Sequence, residues 1–375
     1  MSADVAGLAL HGTGVERSLT HYAGLHLLGE NLEVGAKDRV LVIAPHPDDE
    51  SIASGGLLQA AHAAGAAIRL LLLTDGDNNP WPQRWIEKRW RIGAGERARW
   101  GARRRAEAQA ALRVLGVDAH AVRFLGLPDL GLTQLLMRND AALTSPLHAL
   151  LDEFAPTMLV FPAPSDRHPD HNAAHVALRF ALLHSAATPR LLTFAVHGAA
   201  TAADEVALPL DRARRERKQA AIQAHATQMQ FSRRRFLAFA AERERFFALR
   251  ADAAPEPAHP LQARLHDGQL QVRLDLRRLE RAPARGDALF VALEGSDASE
   301  RLLVGADWHA EQVTLFDSVR QAPRAAVALR REPDALQLSI DLRSAGALRQ
   351  GYVKFARREP GWRVFDRFGW QPVAS

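Results

Sequence analysis

Three short, almost wholly apolar runs mark the first half of the chain: Val40–Ala44, Ile68–Leu73 and Thr157–Phe161. Each is too short for a helix and ends at a turn bearing Pro or Gly, as strands buried on both faces of a parallel sheet do. Ala-rich stretches with helical spacing follow them, at Ser51–Gly65, Arg104–Leu115 and 140–154, the first two stopped by Gly65 and Gly116. Strand, helix and strand within about 35 residues predict βαβ crossovers, hence a mostly parallel sheet with helices on both faces. Further strands are expected at Ala121–Leu125 and 191–196, and further helices at 172–184 and Arg212–Gln228. Residues 1–38 carry only a weak helical pattern around His21–Leu28.

After ADAAPEPAHP, residues 251–260, the period switches to two. Leu261–Leu265 and Leu270–Leu276 flank Asp267-Gly268, a strong hairpin signal. Ala288–Leu293, Leu302–Val304, Val313–Phe316, Ala325–Leu329, Leu336–Leu342, Tyr352–Ala356 and Arg363–Arg367 continue the series, with turns such as Glu332-Pro333-Asp334 and Pro360-Gly361. So many short strands predict a sandwich-like all-β unit. The expected organisation is an α/β domain over 1–250, a Pro/Ala linker over 251–260 and the β-domain over 261–375, consistent with a chain too long for one ordinary core.

Composition narrows the function classes. No run reaches the roughly 18–20 apolar residues of a membrane span, since Leu57–Leu73 is broken by Gln59, His62 and Arg69. No secretory signal is visible in the first residues, so the cytoplasm is the expected compartment. The absence of Cys excludes disulfides and thiolate ligands. A formal charge of +5 is modest, and no nucleic-acid-binding signature accompanies it, so no nucleic-acid partner is expected. Oligomeric state is not legible.

Two loops, each following an apolar strand, hold most of the chemistry-bearing residues. The first supplies His46, Asp48, Asp49 and Glu50, and the second Asp166, His168, Asp170, His171 and His175. Acidic residues also favour a helix's first turn, which is the structural alternative for the first loop. Neighbouring strands of a parallel sheet bring their carboxyl-end loops to one edge, where ligands of such folds bind. Two imidazoles and a carboxylate with an open position suit a catalytic zinc; the same types also suit a ferrous facial triad. A remaining carboxylate is then available as a general base and a remaining His as an acid, the kit for splitting an amide. Asn78–Arg105 follows the second strand and holds Trp81, Trp85, Trp90 and Trp100 among nine basic residues and two acids. Its Trp and Arg residues, Trp85 and Arg89 among them, suit an anionic sugar conjugate, or else pack as an amphipathic helix.

Pro45-His46-Pro47-Asp48-Asp49-Glu50 with His168-Pro169-Asp170-His171 resembles the LmbE/PIG-L family of metal-dependent N-deacetylases over about residues 38–250. Thr74-Asp75-Gly76, Arg104-x-x-Glu107, Pro128-Asp129 and Lys218 with His225 and Gln228 are supporting matches. The resemblance implies a Rossmann-like fold, zinc on His46, Asp49 and His171, and removal of an acetyl group from an amino-sugar conjugate. It assigns Asp48 as general base, and His168 to oxyanion stabilisation or amine protonation with Asp170 orienting it. Arg104 and Asp129 match positions that hold sugar hydroxyls. The residues alone do not separate Asp48 from Asp49 as ligand. Glu50 is expected to tie down the turn, His175 to sit on a helix face, and His197 and His225 to line the rim. Trp308, Trp362 and Trp370, if exposed, would suit a sugar platform in the β-domain, although Trp in a sandwich more often belongs to the core. The alternatives are an amidase acting on a non-sugar amide and a non-catalytic carbohydrate-binding protein.

Overall fold

The computed structural model describes residues 31–198, 205–249, 259–305, 308–358 and 366–374. The helical pattern at His21–Leu28, most of the 251–260 linker and most of the Arg363–Arg367 strand lie outside them.

The α/β part runs β1 (Arg39–Ala44), α1 (Asp49–Ala64), β2 (Ala67–Thr74), α2 (Pro80–Glu87), α3 (Ala94–Leu115), β3 (Val122–Leu127), α4 (Leu132–Met137), α5 (Ala141–Phe154), β4 (Met158–Pro162), α6 (Pro169–Leu183) and β5 (Arg190–Phe194). It continues with β6 (Glu205–Pro209), α7 (Arg212–Ala224), α8 (Ala226–Leu237) and β7 (Arg243–Ala248). The sheet order is β3-β2-β1-β4-β5-β7-β6; β1 to β5 are parallel and β7 runs antiparallel to β5 and β6. Alternation along β1 explains the two-sided burial. Val40, Val42 and Ala44 pack with α1 and α3 through Leu57 and Leu112, while Leu41 and Ile43 face α5 and α6 through Leu147 and Val176. The order reverses between β1 and β4, and both loaded loops open into the crevice at that switch point.

The expected α/β architecture is borne out, with local differences. Helix α3 starts at Ala94 rather than Arg104, because Glu96 caps it by accepting the Gly93 N–H. The helix expected over 212–228 breaks at His225, whose ring is drawn into the interior. Strands β6 and β7 lie on the antiparallel edge and were not anticipated.

The C-terminal part contains β8 (Leu261–His266), β9 (Gln269–Asp275), β10 (Ala288–Gly295), β11 (Ser299–Gly305), β12 (Gln312–Asp317), β13 (Ala322–Glu332), β14 (Ala335–Asp341), β15 (Leu348–Ala356) and β16 (Gln371–Pro372). Asp267 and Gly268 both have positive φ, 46° and 71°, as a two-residue type I′ hairpin requires. The part is all-β as expected, but it is one antiparallel sheet rather than two packed sheets. Its order is β16-β15-β10-β11-β12-β13-β14-β9-β8, and its edges meet where Arg264 bridges Ala374, giving a barrel-like form. Trp308 and Trp370 are buried, at 2% and 0% exposure, so they belong to the core and not to a sugar platform; Trp362 lies outside the described residues. Trp370, Tyr352 and Ala292 join the same core as Leu41, Phe161 and Phe180, so the two parts share packing directly beneath the second loop.

Candidate metal centre and active site

Pro45 directly follows β1, and its carbonyl accepts both the N–H and the Oγ–H of Thr74, at 2.9 and 3.0 Å. That clamp fixes the first loop against the end of β2. The next turn folds back so that the His46 N–H donates to Asp49 Oδ2 at 2.9 Å. His46 Nδ1 then lies 3.3 Å from Asp49 Oδ2, and His171 Nε2 lies 3.1 Å from the same oxygen. The two ring nitrogens are 3.3 Å apart. Ligands about 2.0–2.1 Å from a tetrahedral zinc stand roughly 3.3 Å from each other, so these three atoms have the spacing of one face of such a site. A three-way cluster of two imidazole nitrogens and one carboxylate oxygen is also the donor set that a borderline-soft divalent cation takes.

The outer nitrogens of both rings are held by carboxylates. His46 Nε2 lies 3.2 Å from Asp170 Oδ2 and 3.3 Å from Asp129 Oδ1. His171 Nδ1 lies 3.1 Å from Asp166 Oδ2. Carboxylate–imidazole pairs of this kind fix the tautomer and orientation of metal-binding histidines. The electrostatics agree. Burial alone would lower the pKa of both rings, but Asp129, Asp170 and Asp49 hold His46 well above its usual value, and Asp166 and Asp49 push His171 up to about 10. Burial would raise Asp49, yet His171 and His46 hold it well below the usual carboxylate range. Such a centre demands positive charge, which a cation supplies.

Asp48 is turned the other way. Its φ of 141° is far outside the range a non-Gly residue ordinarily adopts. Glu50 Oε2 accepts the Asp48 N–H at 2.9 Å, while Glu50 Oε1 accepts Ser51 Oγ–H at 2.8 Å and pairs with His225 Nε2 at 3.1 Å. The Asp48 carboxylate meets Arg104 Nη2 at 3.2 Å, and burial raises its pKa to about 6 against the opposing pull of Arg104. Arg104 is buried and also donates to the carbonyls of Pro47 and Gly76, both at 2.7 Å. Gly76 makes room for it: a Cβ there would fall 1.7 Å from Arg104 Nη1.

His168 caps α6, its Nδ1 accepting the Asp170 N–H at 3.3 Å, so in the neutral ring Nε2 carries the proton. Burial and the neighbouring His46 and His171 rings hold its pKa well below the usual value. Asp170 meets His168 only through that amide. Its carboxylate goes instead to His46 and to the N–H groups of Leu130 and Leu132, at 2.7 and 3.1 Å. Asp129 is 8% exposed beside His46, and its other oxygen accepts the Asn78 N–H at 2.8 Å. Arg89 pairs with Glu96, and Trp85 is 61% exposed with Lys88 Nζ 5.0 Å from its ring, so neither is seated among these residues. His175 bonds the Pro162 carbonyl inside the core, and His197 meets His171 edge to face with centroids 5.1 Å apart.

Asp166 had no role assigned from the sequence. It turns out to serve the whole second loop, accepting from the amides of His168, Val196 and His197 as well as meeting His171. The only available signal was an acid two residues ahead of the motif.

Residues 41–182 match the family model described as PIG-L: GlcNAc-PI de-N-acetylase, which bears out the resemblance carried by the two motifs. A deacetylase of 1D-myo-inositol 2-acetamido-2-deoxy-alpha-D-glucopyranoside from Mycobacteroides abscessus is 29% identical over 243 residues, 52% of this chain and 82% of that protein. The protein of the same name from Mycobacterium sp. (strain KMS) is 32% identical over 151 residues, 36% of this chain and 47% of its own. Among solved structures, the deacetylase Orf2*T of teicoplanin biosynthesis aligns over 58% of this chain and all of its own, with 23% identity and a TM-score of 0.46.

Proposed function

From the premise that residues 41–182 are a PIG-L family segment, we propose that the protein is a metal-dependent hydrolase that removes an acetyl group from an N-acetylated amino sugar within a larger conjugate. The observation that carries this reading is the three-atom face of His46 Nδ1, Asp49 Oδ2 and His171 Nε2, with edges of 3.1–3.3 Å. Two imidazoles and one carboxylate fit Zn2+ first and Fe2+ second. A cation held there would acidify water and polarise the amide carbonyl.

The chain's own groups supply the rest. Asp48, with a pKa of about 6, is ionised at neutral pH yet basic enough to take a proton from the attacking water. Arg104 and Glu50 hold that carboxylate and its strained backbone in place. His168 donates from Nε2–H to the carbonyl oxygen as negative charge develops, acting as a neutral donor. Asp170 and Asp166 orient His46 and His171. As the C–N bond breaks, the proton taken by Asp48 passes to the departing nitrogen, leaving acetic acid and the amine, which ionise to acetate and an ammonium. Asp129 retains lone pairs for a sugar hydroxyl beside His46. The two relatives act, by their names, on an acetylated glucosamine joined to inositol, so that linkage heads the substrate panel.

The test is release of free amine from a panel of N-acetylated amino sugars and acylated amino acids by metal-loaded protein. Amine from sugars, none from amino acids and none with Asp48→Asn supports the reading. Amine from acylated amino acids alone overturns the substrate class.

A further inference from the structure

Helix α2 wears its side chains inside out. Pro82 and Gln83 form its buried face, and Gln83 donates to the Glu96 carbonyl at 2.7 Å. Its solvent face carries Trp81 and Trp85 one turn apart, at 52% and 61% exposure, and Trp90 follows at 82%. The other large hydrophobic side chains among the described residues are exposed by less than half, as with Val319 at 47% and Val114 at 38%. Cations surround the indoles: the Arg84 guanidinium lies 5.0 Å from the Trp81 ring, Lys88 Nζ lies 5.0 Å from that of Trp85, and Arg89 and Arg91 are exposed beside them. The acids of this segment, Glu87 and Glu96, are already paired with Arg99 and Arg89.

We infer that α2 and the following turn, through Arg91, seat the protein on an anionic lipid surface. Indoles placed where apolar and wet environments meet, with cations beside them to reach lipid phosphates, are the chemistry of an interfacial anchor. A neutral glycan gives the cations nothing to meet. A stable protein partner needs about 800 Å² from each side, whereas three partly exposed indoles offer on the order of 400–500 Å². Among the described residues no helix is long and apolar enough to cross a membrane. The anchor also borders the centre: α2 begins two residues after Asn78, whose N–H meets Asp129, which in turn meets His46. Docking would hold the site at the lipid surface. This inference stands apart from the proposed reaction, since its readout is binding.

The full chain is pelleted with vesicles of phosphatidylcholine alone or with about one third phosphatidylglycerol, a content that sets a strongly negative surface. Expected is pelleting that requires phosphatidylglycerol, weakens as salt rises, and falls about tenfold in Trp81→Ala/Trp90→Ala with urea melts unchanged. No lipid-dependent pelleting, or equal pelleting by the double variant, overturns the inference. So does dextran sulfate binding as tight as vesicle binding, which would mark a polyanion site. A dimer in gel filtration that the double variant dissolves would overturn it in favour of a second copy.

Discussion

Replacing Glu50 tests whether the strained turn at Asp48 is held from behind. Glu50 is fully buried and joins three partners: the Asp48 N–H, the Ser51 hydroxyl and the His225 ring. Hydrogen bonds to a charged group contribute about 1.5–3 kcal/mol each, and a residue at a disfavoured φ stores about 1–3 kcal/mol. Glu50→Ala removes the restraint and strands a buried ring, so it should cost about 3–5 kcal/mol in urea melts, as breaking a buried pair does. Glu50→Gln keeps an acceptor for the Asp48 amide and should cost about half of that. If the turn relaxes by even 1.4–2.8 kcal/mol in the transition state, kcat falls about 10–100-fold with KM nearly unchanged. The pH dependence has a defined sign. Burial would lower the His225 pKa, but Glu50 raises it above 6.5 in the folded state. The pair's stabilisation is therefore complete below the unfolded value of 6.5 and is lost as pH rises through the higher folded value. The stability gap between wild type and Glu50→Ala should thus be widest on the acid side and narrow above it. Wild-type kcat in Glu50→Ala, or a loss confined to KM in Glu50→Gln, would refute the restraint.

Asp166→Asn removes the carboxylate behind His171 and should weaken metal affinity about 10–100-fold, read by chelator competition; unchanged affinity would remove Asp166 from the centre. The acid limb of kcat/KM should fall at or below about pH 6, because Asp48 must be ionised to act and a cation on neighbouring Asp49 lowers its pKa further. Asp48→Asn should lose about 10²–10⁴-fold in rate, and a limb well above 6 or a retained rate would dismiss Asp48 as base. Lys218→Met strands the Glu244 carboxylate, which sits 2.5 Å from Lys218 and accepts the Gly56 and Leu57 amides. It should cost about 3–5 kcal/mol in urea melts, and a neutral result would make the pair dispensable.

The apolar strand runs and the two motif loops were legible because buried parallel strands leave continuous hydrophobic stretches, and their carboxyl-end loops have only one crevice to share. Local patterns failed where tertiary partners decide. The helix expected to pass through His225 breaks there because Glu50, 175 residues upstream, claims the ring. Trp308 and Trp370 could serve a sugar platform or, more often for Trp in a β-domain, the core; packing against Phe355 and Phe290 places them inside. The sandwich became a barrel-like sheet because closure depends on Ala374 reaching β8, a pairing that no period-two pattern encodes.

Asp48 and Asp49 show the same limit at its sharpest. Two adjacent carboxylates at the start of a helix are interchangeable by type, spacing and propensity. What separates them is backbone: φ of 141° at Asp48 swings its side chain to Arg104, while Asp49 enters α1 and turns its carboxylate back to the His46 amide and both rings. The strain is sustained by groups from outside the motif, since Glu50 leans on His225 and Arg104 leans on the Gly76 carbonyl. In the proposed reaction, a base a few ångströms from a cation that it must not bind would need this opposition. Asp48→Gly and Asp48→Ala both strand Arg104, but only glycine relieves the backbone, so the glycine variant should be the more stable of the two by about 1–3 kcal/mol in urea melts. A glycine variant no more stable than the alanine variant would mean that the turn stores no strain.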